Sequence, residues 1–492
     1  MEAFPTPRSA AARRWVALVV LCIGQLMIVL DSTVVNVALP SIQRGLHTDQ
    51  ASLAWVINAY LISFGGLLLL AGRLGDLLGR RRLFLGGIGL FTAASVACGL
   101  APTATLLTTA RFVQGIGAAV VSSMVLGILV TLFESREEKA RAMSIYAFVA
   151  SAGGSIGLLV GGVLTDVAGW HWIFFINLPI GVAALALGSV LIPSHRGAGL
   201  RGGIDVWGAL LITAAPALAV YAIIEASVNG WVSVPTFGMA GLTAALIAAF
   251  ILVESRARHP LVPLHFFRSR NIVGAVLVRF LFPMGMFGTF FLGALYLQRV
   301  LGYTPVGAGF AFMPMSLCMA LFSLFVTARL VGRFGAKNTL IPGLVMMTAG
   351  LWLMGLAPVD ASYVVDVLPA LVLMGIGAGL VFMPSVLLAM SGADGSDSGL
   401  ASGVANVAIQ MGAAIGVAVL ASISNADTSE QLSRGMRLDG ALTSGYHLGF
   451  VAAAGVVAAA AIVGASVLRS AQPALTRATR EHVTALPAER AA

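Results

Sequence analysis

Gly72-Arg73-Leu74-Gly75-Asp76-Leu77-Leu78-Gly79-Arg80-Arg81-Arg82 joins two apolar stretches with a short run of glycines, cations and one acid. A connection this short and basic, between segments long enough to cross a bilayer, belongs on the side of a membrane where cations accumulate. The rest of the chain agrees. Of its 492 residues 59% are hydrophobic and 10% charged, and the mean hydropathy is +0.96. These values lie outside the range of soluble domains and predict an integral membrane protein, all helical.

A span needs about 20 mostly apolar residues. The sequence then divides into fourteen candidate spans, roughly 15–38, 52–71, 83–101, 106–131, 141–164, 170–192, 205–225, 235–253, 272–298, 306–328, 338–356, 362–389, 400–423 and 446–468. The net charge is +9, and its placement excludes a nucleic-acid footprint, because no single face or loop gathers it. Of the 29 Lys and Arg residues, 23 fall in the termini and alternate loops. Arg44, Arg299, Arg434 and Arg437 occupy the opposite side, and Arg111 and Arg279 lie within spans. Both termini are therefore expected in the cytoplasm, with an even number of spans between them. The first apolar segment is long enough to span and is expected to stay in the mature protein.

The halves repeat. Ala328-Arg329-Leu330 through Gly335-Ala336-Lys337 echoes the loop 72–81 at an offset of 256, with Gly332 where Asp76 stands. Gly375-Ile376-Gly377-Ala378 repeats Gly115-Ile116-Gly117-Ala118 at 260, and Ile415-Gly416 repeats Ile156-Gly157 at 259. Matches in the same order are the signature of a duplicated bundle. The expected organisation is a cytoplasmic tail (1–14), an N-terminal six-helix bundle (15–192), an inserted hairpin of spans 7 and 8 with its linkers (193–270), a C-terminal six-helix bundle (271–468), and a cytoplasmic tail (469–492) expected to be disordered.

Enzyme chemistry finds little support. Gly153-Gly154-Ser155-Ile156-Gly157 has the spacing of a hydrolase nucleophile elbow, but it lies inside an apolar span instead of a strand-to-helix turn. Cys22, Cys98 and Cys318 sit in separate spans without disulfide or metal spacing. The only lysines, Lys139 and Lys337, stand outside any Walker motif. No ATP, metal or cofactor is expected, so an ion gradient or the substrate's own gradient must supply energy.

The loop 72–82 resembles, at nearly every position, the signature G-R-L-[GA]-D-x-x-G-R-[RK]-[RK] of the major facilitator superfamily. Asp31-Ser32-Thr33-Val34-Val35-Asn36-Val37-Ala38-Leu39-Pro40 is similar to the span 1 signature of that superfamily's drug:proton antiporters with fourteen spans. Arg111-Phe112-Val113-Gln114-Gly115-Ile116-Gly117-Ala118-Ala119 resembles the span 4 motif, whose Arg is linked to proton transfer. Gly169-Trp170-His171-Trp172-Ile173-Phe174-Phe175-Ile176-Asn177-Leu178-Pro179-Ile180-Gly181 matches the entry to span 6, with His171 for the usual Arg. Trp55 and Tyr60 fit W-x-x-x-x-Y in span 2. In span 5 the motif G-P-x-x-G-G reads Gly157-Leu158-Leu159-Val160-Gly161-Gly162 and lacks its proline. The resemblance implies a fold of two six-helix bundles plus the hairpin, and proton-coupled efflux of lipophilic drugs or antibiotics by alternating access. The alternative is a proton-coupled importer or facilitator of a small polar metabolite.

Charges inside a span are costly and mark sites. Asp31 and Arg111 are the proton-coupling candidates, because a carboxylate in a cavity can change protonation as access alternates; the structural alternatives are an acid tied to neighbouring helix dipoles and a cation hydrogen-bonded to backbone carbonyls for packing. Gln25, Ser32 and Asn36 share a helix face with Asp31 about 100° around. With Gln114, Glu225, Arg279, Asn406 and Gln410 they are the substrate-cavity candidates. Phe280, Phe282, Met284, Met286, Phe287, Phe290 and Phe291 surround Arg279 and Pro283, suiting either a cavity for lipophilic cargo or contact with lipid. Glu225 or Asp31 is the expected partner of Arg279. Gly72, Arg73, Gly75, Asp76, Gly79, Arg80 and Arg81 are the gating candidates: the three glycines permit close approach, and Asp76 is to accept from the amino end of span 13 near Ser398-Gly399. Arg80, Arg81 and Arg82 either gate or touch anionic lipid. Gly153, Gly157, Gly161 and Gly162 form a close-packing face on span 5, and Trp170 and Trp172 an interfacial aromatic belt. The expected partners are a small-molecule substrate, protons and membrane lipid, with no nucleic acid, and the protein is expected to be a monomer. An Arg-heavy, Lys-poor, Ala-rich chain suits GC-rich bacterial coding, hence the bacterial inner membrane.

Overall fold

The computed structural model describes residues 7–133, 135–193, 205–229, 233–257, 260–262, 267–390 and 398–469. The described residues form helices and no strands. In chain order these are α1 (Pro7–Leu46), α2 (Gln50–Leu78), α3 (Arg80–Gly99), α4 (Ala104–Leu132), α5 (Arg136–Val167) and, after a helical turn at Trp172–Phe175, α6 (Asn177–Leu191). Then come α7 (Val206–Asn229), α8 (Val234–Arg256) and α9 (Arg270–Arg299). α10 (Pro305–Leu321) continues through a π-helical turn (Phe322–Val326) into Thr327–Phe334. α11 (Ala336–Met354), α12 (Leu368–Met390, after a π-helical turn at Tyr363–Val367), α13 (Ser398–Ser433) and α14 (Leu438–Ser466) complete the set.

Short polar side chains start several of these helices. The Asp49 carboxylate accepts from Ser52 N–H at 2.8 Å and Thr304 Oγ1 from Gly307 N–H at 3.1 Å, satisfying donors that the first turn leaves unpaired. The α2/α3 joint turns on Gly79 at φ +99° and the α10/α11 joint on Gly335 at φ +85°, a backbone state open to glycine without strain. The two residues are 256 apart, so the weak loop repeat in the sequence is a repeat of conformation.

Among the described residues, twelve helices are long and apolar enough to cross a membrane. The other two expected spans coincide with α5, whose described apolar stretch is Ile156–Val167, and with α11, which opens on Ala336-Lys337-Asn338. In the first half α1 packs on α5 and α6, α4 on α2 and α3, and α3 on α6. In the second half α9 packs on α13 and α14, α12 on α10 and α11, and α11 on α14. Each pairing recurs eight helices later. The halves meet where α2 crosses α13 and α5 crosses α10, two contacts that the same shift exchanges.

Helices α7 and α8 pack on each other, and α7 also lies against α2 and α13. The lipid-facing character of α8 is plain, since none of its apolar window is buried. Beyond α8 the linker folds back: Leu261 and Val262 cluster with Ala209, Ile272 and Val404, and Val262 N–H donates to Glu254 Oε2 at 3.2 Å.

Candidate functional site

Span 1 separates two polar arrangements by one residue of its register. Ser32 and Gln25 face the cleft between the halves, and Asp31 turns the other way, into the first bundle toward α4 and α6. The 100° offset on an α-helix accounts for it.

Asp31 is 2% exposed and Arg111 1%. Arg111 Nη1 pairs with Asp31 Oδ2 and donates to Gln114 Oε1 at 2.8 Å. Gln114 Nε2 donates to Asp31 Oδ1 at 2.7 Å, and Asn177 Nδ2 donates to the same oxygen at 3.1 Å. Asn177 also donates to Ser95 Oγ at 2.9 Å, which in turn donates to Phe174 O at 2.9 Å. Arg111 Nε reaches Val56 O at 3.1 Å, and the guanidinium lies 4.2 Å from the Tyr60 ring centre, a cation–π contact of about 2 kcal/mol when desolvated. Five helices thus converge on one ion pair. Such a pair is held by geometry, because each charge was taken out of water at a cost only its partners offset.

The proton-coupling candidates Asp31 and Arg111 meet in one network, and Gln114, a substrate-cavity candidate in the sequence, joins them there. Instead of lining the cavity, Gln114 is fully buried against Asp31. Asn177, Ser95 and Tyr60 were not singled out as members. Asn177 left a trace: a lone amide in the apolar run entering span 6. Trp170, expected in an exposed belt, is 5% exposed and stacked on His171, whereas Trp172 is 52% exposed; Gly45 admits the Trp170 ring, since a Cβ there would come within 2.6 Å of its Nε1.

A cavity of about 300 Å³ occupies the cleft. From the first half come Gln25, Ile28, Ser32, Phe64, Ser122 and Tyr146, and from the second Met286, Phe287, Phe290, Met315, Met319, Phe382, Asn406 and Gln410. Among the described lining residues none is charged. Of the expected lining set, Gln25, Ser32, Asn406 and Gln410 are present. Asn36 is bonded within α1, to Ser32 O at 3.1 Å and Thr33 O at 3.3 Å, and Glu225 stands on α7, outside the described lining. Of the phenylalanines and methionines around Arg279, Met286, Phe287 and Phe290 reach the cavity, whereas Phe291 is buried in the helical core.

Arg279 is 6% exposed. The carboxylate partner expected for it is replaced by neutral acceptors: Ala405 O at 3.3 Å, Ser385 Oγ at 3.1 Å and Asn406 Oδ1 at 3.4 Å. Asp31 is committed to Arg111 instead, in the other half.

At the loop 72–82, Asp76 Oδ1 accepts from Arg80 Nη2 at 3.0 Å, and Arg80 Nη1 donates to Gly127 O at 2.6 Å, tying α2 and α3 to α4. Arg81 donates to Ser189 O at the end of α6, and Arg82 is exposed. Arg73 is half-buried in the last turns of α2. The expected donor to Asp76 is the amino end of span 13 near Ser398-Gly399; α13 starts at Ser398, and the approach to it, 391–397, lies outside the described residues. Of the three glycines, Gly75 is tight against Met124, Gly79 supplies the positive φ, and Gly72 faces open space; close approach is therefore needed at one position and conformational freedom at another.

The span 5 glycines divide between two partners. A Cβ on Gly153, Gly157 or Gly161 would press on α1, at Leu26, Thr33 and Val34. A Cβ on Gly162 would come within 2.7 Å of Pro305 O on α10, and one on Gly309 of α10 within 2.7 Å of Leu158 O. The second half copies the seam, since Gly412 and Gly416 abut Phe280 and Met284 of α9.

The sequence model of the Major Facilitator Superfamily matches residues 21–417. The chain is 38% identical over 451 residues to the puromycin resistance protein pur8 of Streptomyces alboniger, covering 90% of this chain and 89% of that protein. It is 37% identical over 420 residues to the cephamycin export protein CmcT of Amycolatopsis lactamdurans, covering 84% and 85%. An inward-facing, unoccupied structure of a bacterial homologue of the human lysosomal transporter Spinster superposes with a TM-score of 0.63 at 16% identity, covering 94% of this chain and 97% of that one. Twelve membrane-length apolar helices among the described residues, helix pairings that recur between the halves, a cleft with no charge among its described lining, and these matches lead to one conclusion: the chain belongs to the Major Facilitator Superfamily and is a transporter, not an enzyme.

Proposed function

We propose that the protein exports lipophilic drugs or antibiotics across the bacterial inner membrane by alternating access, in exchange for protons. The observation that carries this reading is the cavity of about 300 Å³ between the halves, with soft Met and Phe side chains opposite a few amides and hydroxyls. Such a lining repacks around varied apolar cargo and orients it through a small number of polar groups. Relatives whose names concern puromycin resistance and cephamycin export support an antibiotic as the cargo.

Fourteen spans with both termini cytoplasmic, bundles at 15–192 and 271–468, and the hairpin between them complete the proposed topology. The bundles rock about the α2–α13 and α5–α10 crossings, where glycines bring backbones close enough to slide without interlocking side chains. Asp31 and Arg111 couple this motion to protons. Asp31 precedes Ser32 of the cavity by one residue, so a shift of α1 that reshapes the cavity also moves the carboxylate relative to Arg111, Gln114 and Asn177. The conformer described here holds the pair closed. A proton reaches Asp31 when α1 moves away from α4 and α6, and its arrival removes the attraction that draws them together again. One proton moving through 100 mV supplies about 2.3 kcal/mol, enough for roughly fifty-fold accumulation of a neutral cargo.

The test is transport by the full chain in proteoliposomes with an imposed pH gradient, using a panel of dyes and antibiotics. Gradient-driven export by the wild type and its loss in Asp31→Asn, measured on folded protein, are the expected results. Export that persists in Asp31→Asn would refute the coupling role, and indifference of the wild type to the gradient would refute proton exchange.

A further inference from the structure

Arg111 and Arg279 are both buried guanidiniums, one in each half, and among the described residues only the first has a counter-ion. Arg111 pairs with Asp31. For Arg279, among the described residues, no carboxylate lies within ion-pairing distance, and its bonds go to a backbone carbonyl, a hydroxyl and an amide. A guanidinium carries five N–H donors, so these three bonds leave donors unused and, among the described residues, the positive charge without a counter-ion. Buried charges are normally paired. An unpaired one beside a cleft calls for an anion that is not part of the chain.

The position favours the cargo as that anion. Asn406, which accepts from Arg279, itself lines the 300 Å³ cavity. Phe382 and Ile409 are shared between that cavity and a smaller void of about 10 Å³ against Arg279 and Ser385, room for about one water molecule or one oxygen atom. No described lining residue is charged, so Arg279, bonded to the lining residue Asn406, biases the potential at that end of the cleft toward positive.

We propose that Arg279, with Ser385 and Asn406, is an anion subsite, and that the preferred cargo is an amphipathic molecule with an acidic group at that end and an apolar body against Phe287 and Met319. The proposal rests on the export reading and specifies its substrate class. Permanent cations are disfavoured. Because an anion moving out and a proton moving in both carry positive charge inward, the membrane potential drives both legs of the exchange.

The test uses three probes of one shape, pyrenebutyrate, pyrenebutanol and pyrenebutyltrimethylammonium, with the purified full chain in neutral-lipid nanodiscs. Binding is read by energy transfer from tryptophan to pyrene. The wild type is expected to bind the anion at least about tenfold more tightly than the cation. In Arg279→Gln that ratio collapses toward one, and in Arg279→Lys, which keeps the charge, most of it remains. Equal or tighter binding of the cation by the wild type overturns the proposal whether or not either variant folds, and so does a ratio that survives Arg279→Gln. Proton uptake driven by the same probes in proteoliposomes is scored separately. Anion preference without proton movement would sink the export reading and leave the subsite standing. Proton-coupled export of all three probes with equal affinity would do the reverse.

Discussion

Asp31 has both carboxylate oxygens engaged, by Arg111 on one side and by Gln114 and Asn177 on the other. Removing one charge of such a pair leaves the other buried and unpaired, at a cost of about 3–5 kcal/mol. Arg111→Gln is therefore expected to lower the thermal stability of the purified protein markedly. The double variant Asp31→Asn with Arg111→Gln is expected to be less destabilised than the two single changes summed, and strict additivity in a double-mutant cycle would show that the pair is not energetically coupled. Asn177→Ala is expected to cost about 1–3 kcal/mol, because it leaves Asp31 Oδ1 and Ser95 short of a donor in a dry interior. The charged members of this network are legible in the sequence, since a charge inside a span has few reasons to be there. Asn177 and Ser95 are not: neutral polar residues occur in many spans, and only packing selects the two that touch Asp31.

Helices were readable where hydropathy was continuous, and their boundaries where a glycine or a capping residue interrupted it. The partners of each face were not. Gly153, Gly157 and Gly161 share one stripe of α5 and meet α1, whereas Gly162, about 100° around the helix, meets α10. Small-residue spacing announces a close crossing without naming the helix on the other side. The crossings predict graded tolerance. Gly412→Ala would put a Cβ 2.0 Å from the Phe280 carbonyl oxygen, backbone that cannot turn aside, and is expected to destabilise by about 1–3 kcal/mol. Gly75→Ala meets only the flexible end of Met124 and is expected to cost less. Gly86 faces open space, so Gly86→Ala is expected to be neutral or to gain up to about 1 kcal/mol from helix propensity. Thermal unfolding of the three variants side by side orders them, and an unaffected Gly412→Ala would show that the α9–α13 approach is looser than described.

In the whole molecule, the two halves are also joined near one end by Gln298 of α9, whose amide donates to Val37 O of α1 at 2.9 Å. If transport needs that end to open, a short bifunctional thiol reagent bridging Val37→Cys and Gln298→Cys is expected to stop it. The background would have Cys22, Cys98 and Cys318 replaced, and each single-cysteine protein is expected to keep its turnover under the same reagent. Full export by the bridged protein would refute rocking at this end. The sequence by itself determined the membrane class, and it marked a repeat between the halves and the in-span charges Asp31 and Arg111 without pairing them, because hydrophobic thickness, repeated glycines and the cost of burying charge act on local sequence. Only the tertiary structure decided which side chains Asp31 meets on its face away from the cavity, that Arg279 has neutral partners, and that α7 of the hairpin lies on α2 and α13. Each of these depends on which helix faces come together across long sequence separations, and an apolar span offers several faces that hydropathy cannot tell apart.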